Sequence, residues 1–193
     1  MSALLDSLAT AFNGADARRE VLEGVLQDGL PGARSEAWKY TSLRQLDRRT
    51  FAPAPLEAPV VDATFVESIP APRLVFVNGR LHPGLSDLTG LPAGVQLQSF
   101  SQAVAAGEDS ARLLGRRYER PEDVFARLNT ALADEGVVLR VEEGVQVALP
   151  LQLVFASAAT GTDLAWHHRH WVELRAGAQL GIVEHHLQVG DAA

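Results

Sequence analysis

Apolar positions in the first thirty residues recur at helical spacing. In SALLDSLATAF, Leu4, Leu5, Leu8 and Phe12 fall on one stripe; in DARREVLEGVLQDG, Val21, Leu22, Val25 and Leu26 form another. Asp16 is a candidate cap for the second helix, which the pattern ends near Gly29. LPGARSEAWKYTSLRQL reads as a loop that becomes a short helical turn from Thr41 or Ser42. FAPAPLEAPVVDATFVESIPAP has too many prolines for a regular element. In RLVFVNGRLHPGLSDL the pattern changes to period two, and Asn78-Gly79 supplies the positive-φ positions of a tight turn. GVQLQSFSQAVAAG predicts a short strand and a helical turn. PEDVFARLNTALADEG predicts a helix with Pro121 in its first turn and Val124, Leu128, Ala131 and Leu132 on one face.

Near residue 136 the pattern shifts to short strands divided by Gly, Pro and acidic turns, at about 137–141, 145–148, 151–156, 167–175 and 179–187. A sandwich, a small barrel and a wound parallel sheet all fit this spacing. The phrases VEEGVQV and ELRAGAQLGIV, each a strand, a Gly-containing turn and a strand, suggest a stacked coil.

Composition narrows the chemistry. The chain has 193 residues, 47% of them apolar, enough for a real core. A formal net charge of −7 argues against a broad nucleic-acid or anionic-membrane surface. No run of eighteen apolar residues occurs, and residue 2 opens a helix rather than a signal segment, so a cytoplasmic protein is expected. Cysteine is absent, which removes disulfides, thiolate metal ligands and cysteine nucleophiles from this chain.

The histidines are the main candidate chemistry. WHHRHW carries His167, His168 and His170, and VEHHLQV carries His185 and His186. His168 and His170 share one face of an extended segment. If neighbouring strands stack, His185 could join them as a divalent-metal set, with protonated surface histidines beside Glu173 and Glu184 as the plainer reading. No G-x-S-x-G nucleophile turn or phosphate-binding glycine spacing is present. GRRYER, with Arg116, Arg117 and Arg120 around Tyr118, reads as a solvated approach to the following helix. Glu142 and Glu143 point to opposite faces of a strand and read as turn residues. In EAWKYTSL, Trp38 and Tyr40 flank Lys39, the chain's single lysine. The expectation is a packing joint: both aromatics buried, Lys39 at the rim, and Glu36 and Thr41 bonded to Arg34 or nearby backbone.

Four stretches, in order, resemble the SufB/SufD family of iron–sulfur cluster assembly proteins, with wording nearer the SufD branch. The first falls on Gly29, Leu30, Pro31, Arg34, Glu36, Trp38, Lys39, Tyr40, Thr41 and Leu43; the second runs from Leu74 to Asn78, Gly79 and Ser86. The third passes through Phe125, Leu128, Asn129, Ala131, Gly136, Gly144 and Pro150, and the fourth through His168, Arg169, Ile182 and Glu184. The resemblance implies an α+β region leading into all-β structure: a mainly helical part with a small strand-turn unit over 1–133, then the first coils of a right-handed parallel β-helix over 134–193. It implies a non-enzymatic scaffold subunit whose partners are SufB and the ATPase SufC. The iron–sulfur cluster and ATP would belong to the whole complex, and no cofactor to this stretch. Arg34, Glu36, Trp38, Lys39, Tyr40, Thr41, Asn78, Gly79, Asn129 and Gly136 are the signature residues, with structural roles expected. Family members are about twice this length, so residue 193 is expected to end a fragment that self-associates through its exposed β end or carries a disordered tail.

Overall fold

The computed structural model describes residues 2–14, 16–105 and 120–190, the side chains of residues 16 and 17 excepted. The capping side chain of Asp16, and Arg116, Arg117 and Tyr118 of the basic knot, therefore lie outside what is described. The same holds for the last three residues of the expected tail.

Helices α1 (Ala3–Thr10) and α2 (Asp16–Asp28) form where the stripes place them. The Ser2 hydroxyl caps α1 by accepting from the Leu5 amide at 3.2 Å. A 3₁₀ turn covers Glu36–Trp38, and α3 (Arg44–Asp47) follows slightly later than expected. Downstream come α4 (Phe100–Ala105) and α5 (Val124–Leu132), the latter led in by a 3₁₀ turn over Pro121–Asp123. Leu4, Leu5 and Leu8 pack with Leu22 and Val25 and with Val124, Leu128 and Ala131, so α1, α2 and α5 share one apolar core. Buried Arg127 locks α5 to α2 through Asp28 at 2.5 Å.

The strands are β1 (Ala52–Pro53), β2 (Arg73–Val77), β3 (Arg80–Leu81), β4 (Val95–Ser99), β5 (Val137–Val141), β6 (Leu151–Ala158), β7 (Leu164–Ala165), β8 (Trp171–Leu174) and β9 (Ile182–Val189). They make three small sheets among the described residues, ordered β1-β7, β3-β2-β6-β9 and β4-β5-β8. The β2–β3 and β4–β5 pairs are antiparallel; β1–β7, β2–β6, β6–β9 and β5–β8 are parallel. Val75, Val77, Val154 and Ala156 pack on one side of the β2–β6 pair, and Leu74, Phe76, Leu151 and Leu153 on the other. Burial on both faces explains why RLVFV and LQLVF read as nearly continuous apolar runs.

The last third repeats itself in space. Val141 pairs with Leu174, Gln146 bridges Gln179, and Leu151 pairs with Ile182, all in parallel. The VEEGVQV and ELRAGAQLGIV turns therefore lie on one another: the Gly144 amide donates to Ala176 O at 2.9 Å and Gln146 Nε2 to Gly177 O at 2.7 Å. Arg140 and Glu173, opposite each other in register, form an ion pair at 3.5 Å.

The fold is thus mixed α+β with small parallel and mixed sheets, and the β-helix expected over 134–193 is not formed among the described residues as a closed or solenoid structure. Three strand expectations are corrected. Residues 145–148 hold only the single bridge at Gln146. The 167–175 strand shrinks to Trp171–Leu174, because side chains hold the residues before it. The last strand is shifted to Ile182–Val189 by its register with β6.

Candidate functional site

The segment 166–170, WHHRH, is gripped by Gly79, Asn129 and Gly136, brought from distant parts of the chain, while Asn78 shapes the turn that presents Gly79. Asn78, 3% exposed and at φ 46°, turns β2 into β3, and its Oδ1 accepts from the Ala158 amide at 2.8 Å. Gly79 follows at φ 82°, and a Cβ there would lie 2.4 Å from Trp166 Cβ. Its carbonyl accepts a hydrogen bond from His168 Nε2 at 3.0 Å. Asn129, on α5, donates from Nδ2 to the His168 carbonyl at 2.7 Å. Gly136, at φ 142°, allows the chain to pass so closely that an added Cβ would lie 2.0 Å from Arg169 O. The Arg169 amide meanwhile donates to Glu135 O at 2.9 Å.

On one face of this segment His168 and His170 lie against aromatic rings. Phe76, Phe155 and His186 occupy matching positions of β2, β6 and β9 and form a ladder. The first two rings stack at 5.5 Å, and Phe155 and His186 at 5.1 Å. His168 packs on Phe76 at 4.7 Å and on Phe155 at 5.2 Å, and His170 packs on the same two rings. A shallow groove of about 500 Å³ runs along this face, lined by Phe155, Ser157, Trp166, His168, His170, Glu184 and His186 among others.

Burial governs the charge of these imidazoles. It pushes His170 down to about 4, a nearby His168 adding to the shift. Both ring nitrogens of His170 are buried without a hydrogen-bond partner among the described residues. His168 is lowered for the same reason, against the hydrogen bond to Gly79. His167 points the other way, towards Arg18, Arg80 and Asp134, and burial takes it to about 4 although Asp134 opposes the shift. His168 and His170 are therefore neutral rings at neutral pH.

The structure separates His185 from this face. It alternates with His186 along β9, and its Nε2 meets Gln152 Oε1 at 2.8 Å on the opposite side. The expected set of His168, His170 and His185 is not assembled, and among the described residues no three His, Asp or Glu side chains are placed to hold a metal. Sequence reasoning missed His186 as the third ring, together with the two phenylalanines beneath it. The register with β6, not composition, selects it.

The remaining signature residues sit elsewhere. Trp38 is half-buried against the helical core, 5.5 Å from the Phe125 ring, and donates from Nε1 to Glu122 O at 2.8 Å. Tyr40 is instead 91% exposed, with Lys39 Nζ 5.4 Å from its ring centre. Arg34, Glu36 and Thr41 are exposed too, and among the described residues neither the Glu36 carboxylate nor the Thr41 hydroxyl bonds Arg34 or nearby backbone. The expectation of two buried aromatics with bonded neighbours is thus corrected: the 3₁₀ turn ends at Trp38, and the chain continues outward. Arg120, the described member of the basic knot, pairs with Asp123 at 3.1 Å on the surface.

Fold and site together define a mixed α+β protein in which a histidine segment is held by turns and amides and backed by an aromatic ladder. Over residues 4–153 the chain matches the SufBD protein N-terminal region, and it belongs to the SufBD family. It is 30% identical over 174 residues to the iron–sulfur cluster assembly protein SufD of Escherichia coli, covering 89% of this chain and 38% of that protein. It is also 30% identical over 159 residues to an iron–sulfur cluster assembly SufBD family protein of Synechocystis sp., covering 80% of this chain and 35% of that one. The chain spans little more than a third of the length of these relatives.

Proposed function

We propose that this chain is the N-terminal part of a SufD-like scaffold subunit that works without catalysis of its own beside SufB and the ATPase SufC in cytoplasmic iron–sulfur cluster assembly. The carrying observation is the likeness to SufD along 89% of the chain. The absence of cysteine agrees with a partner that leaves thiolate ligation of the cluster, the cargo, to other chains. No described helix is long and apolar enough to cross a membrane.

In this reading residues 1–133 orient the module, and 134–193 open a right-handed parallel β-helix. Support comes from the parallel pairing of Val138 with Trp171 and of Leu151 with Ile182, one turn of chain apart. Strands β8 and β9 are edges of the described sheets. Their free backbone groups are where a further coil would add or, in this stretch alone, a second copy would pair.

The test is co-expression of the tagged full-length protein with SufB and SufC, beside the 193-residue stretch. Recovery of both partners with the full-length protein is expected. A full-length protein that is folded yet recovers neither partner overturns the reading.

A further inference from the structure

Residues 34–49 carry five cations, Arg34, Lys39, Arg44, Arg48 and Arg49, against Glu36 and Asp47, in a chain of net charge −7. All five cations are exposed. Arg49 is paired with Asp163 at 2.6 Å, whereas Arg34, Lys39, Arg44 and Arg48 have no carboxylate within ion-pair distance among the described residues. Beside them runs a groove of about 380 Å³, lined by half-buried Leu30, Pro31, Trp38 and Leu43, by exposed Lys39 and Arg44, and by a single carboxylate, Asp47. Tyr40 stands at this groove, almost wholly in water.

Such a surface does little for folding. An exposed tyrosine contributes little to stability, and unpaired surface cations contribute less. Rigid aromatics beside basic groups are, however, the residues that carry binding energy when a partner covers them, and the cations would steer an oppositely charged partner. We propose that this groove is the docking site of an acidic peptide segment from a partner protein. One apolar side chain of that segment rests on Trp38 and Leu43, its flanking carboxylates meet Lys39 and Arg44, and Tyr40 packs over it. Charge complementarity selects this occupant. A nucleic-acid backbone would extend from a small basic patch onto an acidic protein, and a second copy brings another net charge of −7.

The inference does not depend on the Suf assignment, and its test contains no Suf partner. Fluorescence anisotropy would follow a short labelled peptide of alternating Glu and Leu, and its Gln-Leu counterpart, added to the purified chain at low salt. The acidic peptide should bind, with the Gln-Leu peptide, Lys39→Glu/Arg44→Glu and Tyr40→Ala each weakening binding about tenfold. Thermal unfolding of both variants should match the parent protein, which separates a docking loss from a folding loss. Acidic-peptide binding weaker than about 1 mM, equal binding of the neutral peptide, or indifference to Tyr40→Ala overturns the proposal. So does tighter binding of a single-stranded oligonucleotide than of the peptide, or a dimer that Tyr40→Ala dissolves.

Discussion

In the 34–41 loop, Trp38 reaches inward and Tyr40, two residues later, stays in water. At the clamp on residues 166–170, by contrast, Gly79, Asn129 and Gly136 all act inside the molecule, Asn129 through a hydrogen bond and the two glycines by having no side chain in the way, while buried Asn78 holds the Ala158 amide. The clamp closes the fold, while the loop divides its residues between packing and exposure. A recurring residue type therefore does not reveal whether it holds the protein together or faces a partner. Burial and hydrogen-bond partners do.

The comparison breaks most visibly at Gly136. Gly136→Ala sets a Cβ against the Arg169 carbonyl at an unfavourable φ, and backbone must move. The expected loss is at least about 4 kcal/mol, read from urea unfolding. A loss below about 1 kcal/mol would mean that the segment is not clamped there.

Next comes Trp38→Ala, which removes the ring packed on Phe125 and the bond to Glu122. It should cost about 3 kcal/mol, measured in the same way. Unchanged stability would place Trp38 with Tyr40 on the display side.

The third effect is acid sensitivity centred on the clamp. His167 and His170 have folded values of about 4, below the 6.5 of a free imidazole. The unfolded chain therefore binds protons first, so stability is complete above about pH 6.5 and falls as pH drops towards 4. Part of each ring still sees solvent, so each contributes on the order of 2 kcal/mol across that window. Denaturant midpoints at pH 7 and pH 4.5 check this, and His170→Phe should flatten the dependence; a midpoint unchanged at pH 4.5 would contradict the buried neutral rings. Smallest is Tyr40→Ala, expected within about 0.5 kcal/mol of the parent protein; a larger loss in calorimetry would move Tyr40 into the packing group.

What could be read beforehand follows from which interactions are local. Asn78-Gly79 announces its turn because only a few residues accept positive φ, and the Leu4, Leu5, Leu8 stripe needs only its own helix to be recognised. The two similar glycine turns could be matched because they repeat. The 145–148 segment misled because Val145 and Val147 alternate like a strand, although Gln146 makes only one bridge. His185 and His186 differ by one position, so their faces depend on the β6–β9 register, which no local pattern carries. Tyr40 differs from expectation for a related reason: whether a ring suited to burial meets the core depends on which way the turn at 36–40 faces, and here Trp38 faces inward and Tyr40 outward.

One detail of the stack bears on how such a chain can change length. Positions 33 apart face each other as far as Gln146 and Gln179, but by Leu151 and Ile182 the spacing is 31. The first coil therefore has two more residues than the second at this corner, where Leu149 is 53% exposed. Two is one full period of strand alternation, so the surplus bulges outward while every inward residue of β9 stays inward. An insertion of one residue at the same corner would turn the downstream strand inside out, turning exposed His186 inward and half-buried His185 outward. Evolution can lengthen or trim this corner in pairs and leave the stack intact.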